Sequence, residues 1–261
     1  MEKKYLSKYL LPVKNFVQKV GKLQRDKFYL DREINLSTSK DVHLKIDLES
    51  EEKIKKYLTD AFPEIGFLGE ESGRNDAKKS YWVVDPLDGT VNYYFYNPLF
   101  AISIALVENQ DIVFAIIYAP MTGEFFWAGK NEGAFFQGEL VKNKQSKYSK
   151  VVIGGYNNQK RCEHASNFSL PGNQILNKIE MGCASLELAY VGTGRITSYI
   201  LEKTRLWDIA AGVLFVKESG NVVTNWDGQK WTIKDKYLLA SCNEKIHKKI
   251  LKKISFSKEQ L

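Results

Sequence analysis

The sequence predicts a mixed α/β (α+β) fold, and three observations support this class. Apolar residues recur at spacings of three and four between Tyr5 and Leu23, which indicates an amphipathic helix at the start of the chain. Later segments, such as residues 81–84, are short apolar runs of the kind that form buried strands. Helices and strands then mix without strict strand–helix alternation, which favours a layered mixed fold over a parallel nucleotide-binding sheet.

The predicted elements follow in order along the chain. A second helix is expected from about residue 48 to 62, because Pro63 cannot continue it. A polar loop is expected at residues 69–79. Further strands are predicted at residues 81–84, 101–106, 112–118, 151–153, 196–201, 222–224 and 237–241, with short strands inside 123–137. Further helices are predicted at residues 183–191, at 207–219 and after Asn243.

A basic stretch without apolar periodicity, residues 142–150, divides the chain. We therefore expect an N-terminal α+β half over residues 1–150 and a C-terminal α/β half over residues 151–261.

Composition narrows the class of protein. The chain has 261 residues, of which 44% are hydrophobic and 26% charged, so disordered and fibrous classes are excluded. Its net charge of +7 fits an enzyme for anionic substrates, and it also fits weak attraction to nucleic acid. Three cysteines without a CxxC spacing do not form a disulfide framework. The absence of a signal peptide and of a long apolar run predicts a cytoplasmic protein without a membrane span.

The main chemical signal is the stretch Asp-Pro-Leu-Asp-Gly-Thr at residues 85–90. Two carboxylates, Asp85 and Asp88, follow an apolar strand and are turned together by the proline and the glycine. Carboxylate oxygens and the Leu87 carbonyl suit a hard cation such as Mg²⁺. The backbone N–H groups at the next turn and the Thr90 hydroxyl suit a phosphate. The alternative interpretation is an acidic turn in which Asp88 caps a helix.

Other acids have simpler interpretations when taken alone. Glu70 and Glu71 lie in a polar loop, where solvent exposure is the ordinary outcome. Asp208 begins an apolar helix, where it is an N-cap in the simplest interpretation, although that place also suits a metal ligand.

Three segments taken together resemble the signatures of the inositol monophosphatase family. They are Gly-Glu-Glu-Ser at residues 69–72, Trp-Val-Val-Asp-Pro-Leu-Asp-Gly-Thr-Val-Asn-Tyr at 82–93, and Trp-Asp-Ile-Ala-Ala-Gly at 207–212, in the order that the family shows. The resemblance covers the whole chain. It implies a layered αβαβα sugar-phosphatase fold and a Mg²⁺-dependent, lithium-sensitive phosphomonoesterase that is commonly a homodimer.

The resemblance also implies site residues. Metal ligands are expected at Glu70, Asp85, the Leu87 carbonyl, Asp88 and Asp208, holding two or three Mg²⁺ ions.

Catalytic roles are expected for Glu70 and Thr90, which would position the attacking water, and for Asp47, which would support the threonine. Gly89 and Thr90 would hold the phosphate.

The substrate side departs from the family pattern. Inositol phosphatases carry an acid several residues before the Trp-Asp motif; here Leu201 stands at that count and Glu202 follows it. Ser185, Arg195 and Arg205 are further substrate-binding candidates, and the arginines suit a second phosphate.

The sequence thus favours inositol-1-phosphate as the substrate. Fructose-1,6-bisphosphate, histidinol phosphate and 3′-phosphoadenosine compounds remain alternatives. A nucleic-acid or transcription-complex partner is the alternative of a different class, without an RNA-binding motif to support it.

Overall fold

A computed structural model describes residues 4–30, 34–37, 42–74, 78–142, 149–155, 175–202 and 205–258. A π-helical turn, Leu6–Leu10, leads into helix α1, Leu11–Lys27. Strands β1, Ile34–Ser37, and β2, Val42–Leu44, form a small antiparallel pair. Helix α2, Lys45–Ala61, follows directly. Both predicted N-terminal helices are therefore confirmed.

An eight-stranded sheet follows the two helices. Its strands are β3 (Gly66–Gly69), β4 (Gly73–Arg74), β5 (Ser80–Asp88), β6 (Ala101–Glu108), β7 (Asp111–Ala119), β8 (Glu124–Gly129), β9 (Gly133–Phe136) and β10 (Glu139–Leu140). Their order is β10-β9-β8-β7-β6-β5-β3-β4, and only the β3–β5 pair within it is parallel. A short helix α3, Thr90–Tyr94, connects β5 to the loop before β6.

Within residues 149–155, 175–202 and 205–258, the structure describes a five-stranded sheet with three helices. The elements are β11 (Ser149–Gly155), β12 (Ile175–Ile179), α4 (Ala184–Gly192), β13 (Ser198–Glu202), α5 (Leu206–Glu218), β14 (Val222–Thr224), β15 (Tyr237–Ser241) and α6 (Glu244–Lys258). The strand order is β12-β11-β13-β15-β14, with β11 parallel to both of its neighbours.

Alternation along the strands separates the core into layers. On β5, Trp82 packs in the cluster that contains α1 and α2, whereas Val83 packs in the cluster that contains α4 and α5. On β13, Leu201 faces the same α4–α5 layer, whereas Ile200 packs against α6. The layers are therefore helices, sheet, helices, sheet and helix, which confirms the expected αβαβα fold.

Several short strands were not predicted, and their sequences explain why. Strand β3 has only four residues, two of them glycine, and its partner β5 pairs with it in parallel from further along the chain. Such pairing leaves no local hairpin signal.

The division of the chain at residue 150 stays a prediction. Among the described residues, no helix has the length and apolar character that crossing a membrane requires.

Candidate active site

Strand β5 ends in a bulge that presents two acids. Its pairing with β6 runs regularly as far as Asp85 and Ser103, and then shifts so that Asp88 lies opposite Ala101. Asp85 is 2% exposed and Asp88 is 8% exposed. The Leu87 N–H donates to Asp85 Oδ1 over 2.9 Å, so the bulge also fixes that carboxylate.

The turn after the bulge requires glycine. Gly89 has φ of 96°, and a Cβ there would lie 2.9 Å from the Leu99 carbonyl oxygen. Thr90 then begins α3, and its hydroxyl donates to the Leu87 carbonyl oxygen over 3.0 Å. The turn therefore brings the threonine hydroxyl and the predicted carbonyl ligand together.

Asp88 caps the N-terminus of helix α4. Its Oδ2 accepts from the Ser185 N–H and hydroxyl, both over 2.6 Å, and from Cys183 Sγ over 3.2 Å, while Oδ1 accepts from the Ala184 N–H over 3.2 Å. Burial raises the pKa of Asp88, and the hydrogen bonds from Ser185 and Cys183 oppose that shift. Ser185 is fully buried and supports Asp88. Its predicted contact with substrate stays a prediction.

Glu70 follows strand β3 at the same edge of the sheet. Its N–H donates to the Val84 carbonyl oxygen over 3.2 Å, and its carboxylate lies 3.2 Å from Arg205 Nη1. The loop is held by Glu51, which accepts from the N–H groups of Glu71 and Ser72 over 2.9 and 2.8 Å.

Sequence reasoning missed Glu51, although a signal existed. Helix α2 buries Asp47, Ser50 and Glu51, so three polar residues interrupt its apolar face at helical spacing.

Asp47 lies beneath this loop, 2% exposed. Its Oδ2 accepts from the Leu44 N–H over 2.7 Å, and its Oδ1 has no hydrogen-bond partner among the described residues. Burial raises the pKa of Asp47 well above its usual value, and the nearby carboxylates of Glu71 and Glu70 add to the shift. The described hydrogen bonds of Thr90 do not include one with Asp47, so the predicted support of the threonine stays a prediction.

Helix α5 places Asp208 near Glu70, Asp85 and Asp88, and these four acids form the acidic cluster. The helix begins at Leu206 with Arg205 as its N-cap, so the interpretation of Asp208 as the N-cap is wrong. The reason is that Asp208 lies within the first helical turn, where it is 2% exposed. Burial raises the pKa of Asp85 well above its usual value, and the charges of Glu70, Asp88 and Asp208 raise it further.

The donor set fits a hard cation. Carboxylate and carbonyl oxygens are the ligands that Mg²⁺ prefers, and the mutual repulsion of the four acids is what a cation would relieve. As the side chains stand, no three Asp, Glu, His or Cys residues in the described ranges enclose a metal ion. Asp88 is turned toward α4 and Glu70 toward Arg205, so both carboxylates have protein partners in this arrangement.

Comparison with known proteins decides the family. The sequence model of the inositol monophosphatase family matches residues 8–259. The chain belongs to this family. It is accordingly a phosphoric monoester hydrolase, and the family is metal-dependent.

Individual relatives within the family differ in name. The chain is 30% identical over 223 residues to a fructose-1,6-bisphosphatase/inositol-1-monophosphatase of Thermotoga maritima, covering 85% of this chain and 86% of the relative. It is 33% identical over 231 residues to the Nus factor SuhB of Pasteurella multocida, covering 86% of each. The solved structure of an IMPase from Thermotoga maritima superimposes with a TM-score of 0.83 at 28% identity, covering 94% of this chain and 96% of that one.

The residues predicted to bind substrate lie in different parts of the fold, and only some of them lie near the acidic cluster. Leu201 is 2% exposed and packs in the central core, so it cannot offer a polar contact. Glu202, the next residue, ends β13 opposite Tyr237 and takes the other face of the strand. Arg205 lies in the site through its ion pair with Glu70.

Arg195 has different neighbours. It pairs with Glu124, and its guanidinium stacks on the rings of Phe136 and Tyr190 at 4.7 and 4.8 Å from their centroids. None of these three residues belongs to the acidic cluster, so the predicted role of Arg195 toward substrate stays a prediction.

Proposed function

We propose that this protein hydrolyses a small phosphate monoester, most favourably inositol-1-phosphate, with a metal-activated water. The observation that carries the proposal is the cluster of the half-buried Glu70 with the buried Asp85, Asp88 and Asp208, in which burial and then the neighbouring charges raise the pKa of Asp85. A bound cation would relieve the repulsion between these acids. The Gly89–Thr90 turn beside the cluster supplies the place for the anionic substrate.

The proposed metal ligands are Glu70, Asp85, the Leu87 carbonyl, Asp88 and Asp208, holding two or three Mg²⁺ ions. Bound Mg²⁺ would neutralise the phosphate charge and lower the pKa of the attacking water.

The chain's own residues take the proton, orient the water and bind the phosphate. Glu70 accepts a proton from the water, and the Thr90 hydroxyl orients the water for in-line attack on phosphorus. The ester P–O bond breaks on the opposite side, and the leaving oxygen takes up a proton from solvent. The backbone N–H groups of Gly89 and Thr90 donate to the phosphate, and Asp47 supports the threonine from beneath.

Two substrates are distinguished by specific observations. The solved Thermotoga maritima structure is named an IMPase, which supports inositol-1-phosphate, whereas the Thermotoga maritima relative named for both activities supports both candidates. Fructose-1,6-bisphosphate is the second candidate, because Arg205 brings a cation to the site and Leu201 removes the acid that would repel a second phosphate.

A panel of phosphate monoesters tests the function. We expect Mg²⁺-dependent release of phosphate from inositol-1-phosphate, with kcat/KM at least as high as for fructose-1,6-bisphosphate. The panel should include histidinol phosphate and 3′-phosphoadenosine 5′-phosphate. Absence of phosphate release from every compound, with Mg²⁺ bound, would contradict the proposed function.

A homodimer in the cytoplasm is part of the same proposal. An exposed apolar patch supports the dimer: Tyr29, Leu30 and Phe95 are 70%, 85% and 72% exposed, and the ring of Tyr29 packs on Tyr96. Light scattering should give twice the monomer mass, and Phe95→Lys should give the monomer.

An alternative of another class follows from the relative that is named a Nus factor. A salt-dependent gel shift with RNA, in a protein without phosphatase activity, would favour that alternative.

A further inference from the structure

Helix α4 contains one charged residue, Glu187, among otherwise apolar and small side chains. Glu187 is 1% exposed. Burial raises its pKa to about 8, so the carboxyl group is mostly protonated at neutral pH. Nothing in the proposed hydrolysis uses this acid. Burying a carboxyl group costs stability unless hydrogen bonds compensate for the lost contact with water.

The contacts of Glu187 point toward the active-site turn. Its Oε1 accepts from the Met181 N–H over 2.6 Å, and the Tyr199 hydroxyl donates to the same carboxyl group. Glu187 therefore fixes the backbone just before α4, where Met181 and Gly182 lie.

That backbone supports the turn directly. The Asn92 side-chain amide donates to the carbonyl oxygens of Met181 and Gly182 over 2.7 and 3.2 Å. The Gly182 carbonyl oxygen also faces Gly89, where an added Cβ would lie 3.3 Å from it. A continuous series of contacts thus runs from Glu187 through Met181 and Gly182 to the Gly89–Thr90 turn.

We propose that Glu187 is a positioning residue that acts through residues 181–182 and Asn92 to hold the Gly89–Thr90 turn in the conformation that binds phosphate. This inference rests on the proposed function, because it assigns the turn to the phosphate. It predicts that the hydrogen-bond acceptor at position 187 matters and its charge does not.

Three variants separate these possibilities. Glu187→Met keeps the length of the side chain and removes the acceptor, whereas Glu187→Gln keeps an acceptor and resembles the protonated acid. Tyr199→Phe removes only the other partner of the carboxyl group and is the matched control. Binding of inorganic phosphate to the Mg²⁺-loaded protein is measured by calorimetry, and kcat and KM are measured with 4-nitrophenyl phosphate.

We expect Glu187→Met to weaken phosphate binding about tenfold and to lower kcat by about 10- to 100-fold, because small displacements in an active site have effects of this order. Glu187→Gln should restore both values to within about threefold of the parent, and Tyr199→Phe should leave them within the same range. Equal impairment of Glu187→Gln and Glu187→Met would overturn the proposal, as would normal phosphate binding in Glu187→Met.

A second variant covers the case in which Glu187→Met does not fold. Asn92→Ala breaks the same series of contacts at a half-buried position, and it should weaken phosphate binding by a similar factor. Normal phosphate binding in Asn92→Ala would overturn the proposal. A parent protein that neither binds phosphate nor hydrolyses any phosphomonoester would instead contradict the proposed function, so the two failures are distinguishable.

Discussion

Two of the buried polar clusters among the described residues, one at each sheet, differ in charge. At the end of β5, burial raises the pKa of Asp85, and the like charges of its neighbours raise it further. In the second sheet, the ring nitrogens of His247 lie 3.0 Å from the hydroxyls of Thr224 and Ser241. Ser198 in turn donates to Ser241 over 2.8 Å.

The difference teaches how to read buried polar residues. The histidine cluster is neutral, because burial lowers the pKa of His247 to about 4, and its members satisfy one another. Such a cluster is structural. In the acidic cluster, the charges of Glu70, Asp88 and Asp208 raise the pKa of Asp85 beyond the effect of burial, and a bound cation would relieve that repulsion. Repulsion among neighbouring acids is therefore the sign of a binding site, whereas burial and polarity alone are not.

The largest expected effect comes from removing one charge of the acidic cluster. Asp85→Asn keeps the oxygen that accepts from Leu87 and deletes a charged ligand of the proposed metal site, so we expect kcat/KM to fall by more than about 100-fold. Phosphate release measures this, and a chelator should abolish the activity of the parent.

The same variant has an opposite effect on metal-free stability. The folded pKa of Asp85 lies above its unfolded value, so this group lowers the stability of the metal-free fold above the unfolded pKa, and the stability returns as pH falls from the folded pKa toward the unfolded one. Asp85→Asn should therefore raise the Tm of the chelated protein by about 2–4 °C for each ~1 kcal/mol regained. Asp111→Asn, at an exposed acid paired with Lys130, is the control for activity. Full turnover of Asp85→Asn, or of the parent in chelator, would contradict the metal assignment.

Thr90→Ala sharpens the assignment of roles within the cluster. In the proposed mechanism the hydroxyl orients water in the transition state, so its loss should lower kcat by about 100-fold with little change in Mg²⁺ affinity. Single-turnover rates and Mg²⁺ calorimetry separate the two quantities, and Thr90→Ser should retain most of the activity. If Thr90→Ala turns over normally, the threonine does not orient the water.

His247→Gln tests the neutral cluster through pH. The pKa of His247 is lowered in the folded protein, so its neutral form contributes stability above the unfolded pKa near 6.5, and this stability is lost as pH falls toward 4. The parent should lose at most about 3 kcal/mol of unfolding free energy by this route between those values. Urea unfolding from pH 7 to 4 should show a shallower decline in His247→Gln, with phosphatase activity at pH 7 unchanged. Parallel pH profiles of stability would show that the histidine does not titrate in this range.

Local patterns predicted much of the fold. Strands β14 and β15 match the predicted residues 222–224 and 237–241, because short apolar runs ending at turn residues identify them. Strand β12, Ile175–Ile179, was missed, since it pairs in parallel with β11 and nothing nearby in the sequence marks the pairing. Long-range pairing lies outside what local periodicity can show.

Only part of the candidate site could be predicted from the sequence. That Asp85 and Asp88 lie together could be predicted, because both stand at the end of one strand. Glu51 and Glu187 were not found, because each acts on a distant backbone segment through a hydrogen bond that only the fold creates.

The smallest expected effect concerns the substrate, where the charged neighbours of the site can be compared. Glu202→Gln should lower kcat/KM for inositol-1-phosphate by about fivefold, because this is the worth of a hydrogen bond to a charged acceptor that is partly in contact with water. Hydrolysis of 4-nitrophenyl phosphate should stay unchanged. Arg205→Gln removes the cation that pairs with Glu70, so it can lower activity toward every substrate. Its specific effect is therefore the variant-to-parent ratio of kcat/KM for fructose-1,6-bisphosphate divided by the same ratio for 4-nitrophenyl phosphate. The quotient should remain near one if the neutral polyol is the substrate, because no second phosphate then meets the arginine. A parent that prefers the bisphosphate and a quotient well below one would assign Arg205 to that phosphate, and the substrate choice would reverse. The acidic cluster would keep its metal role in either case, because Arg205 contributes no ligand to the cation.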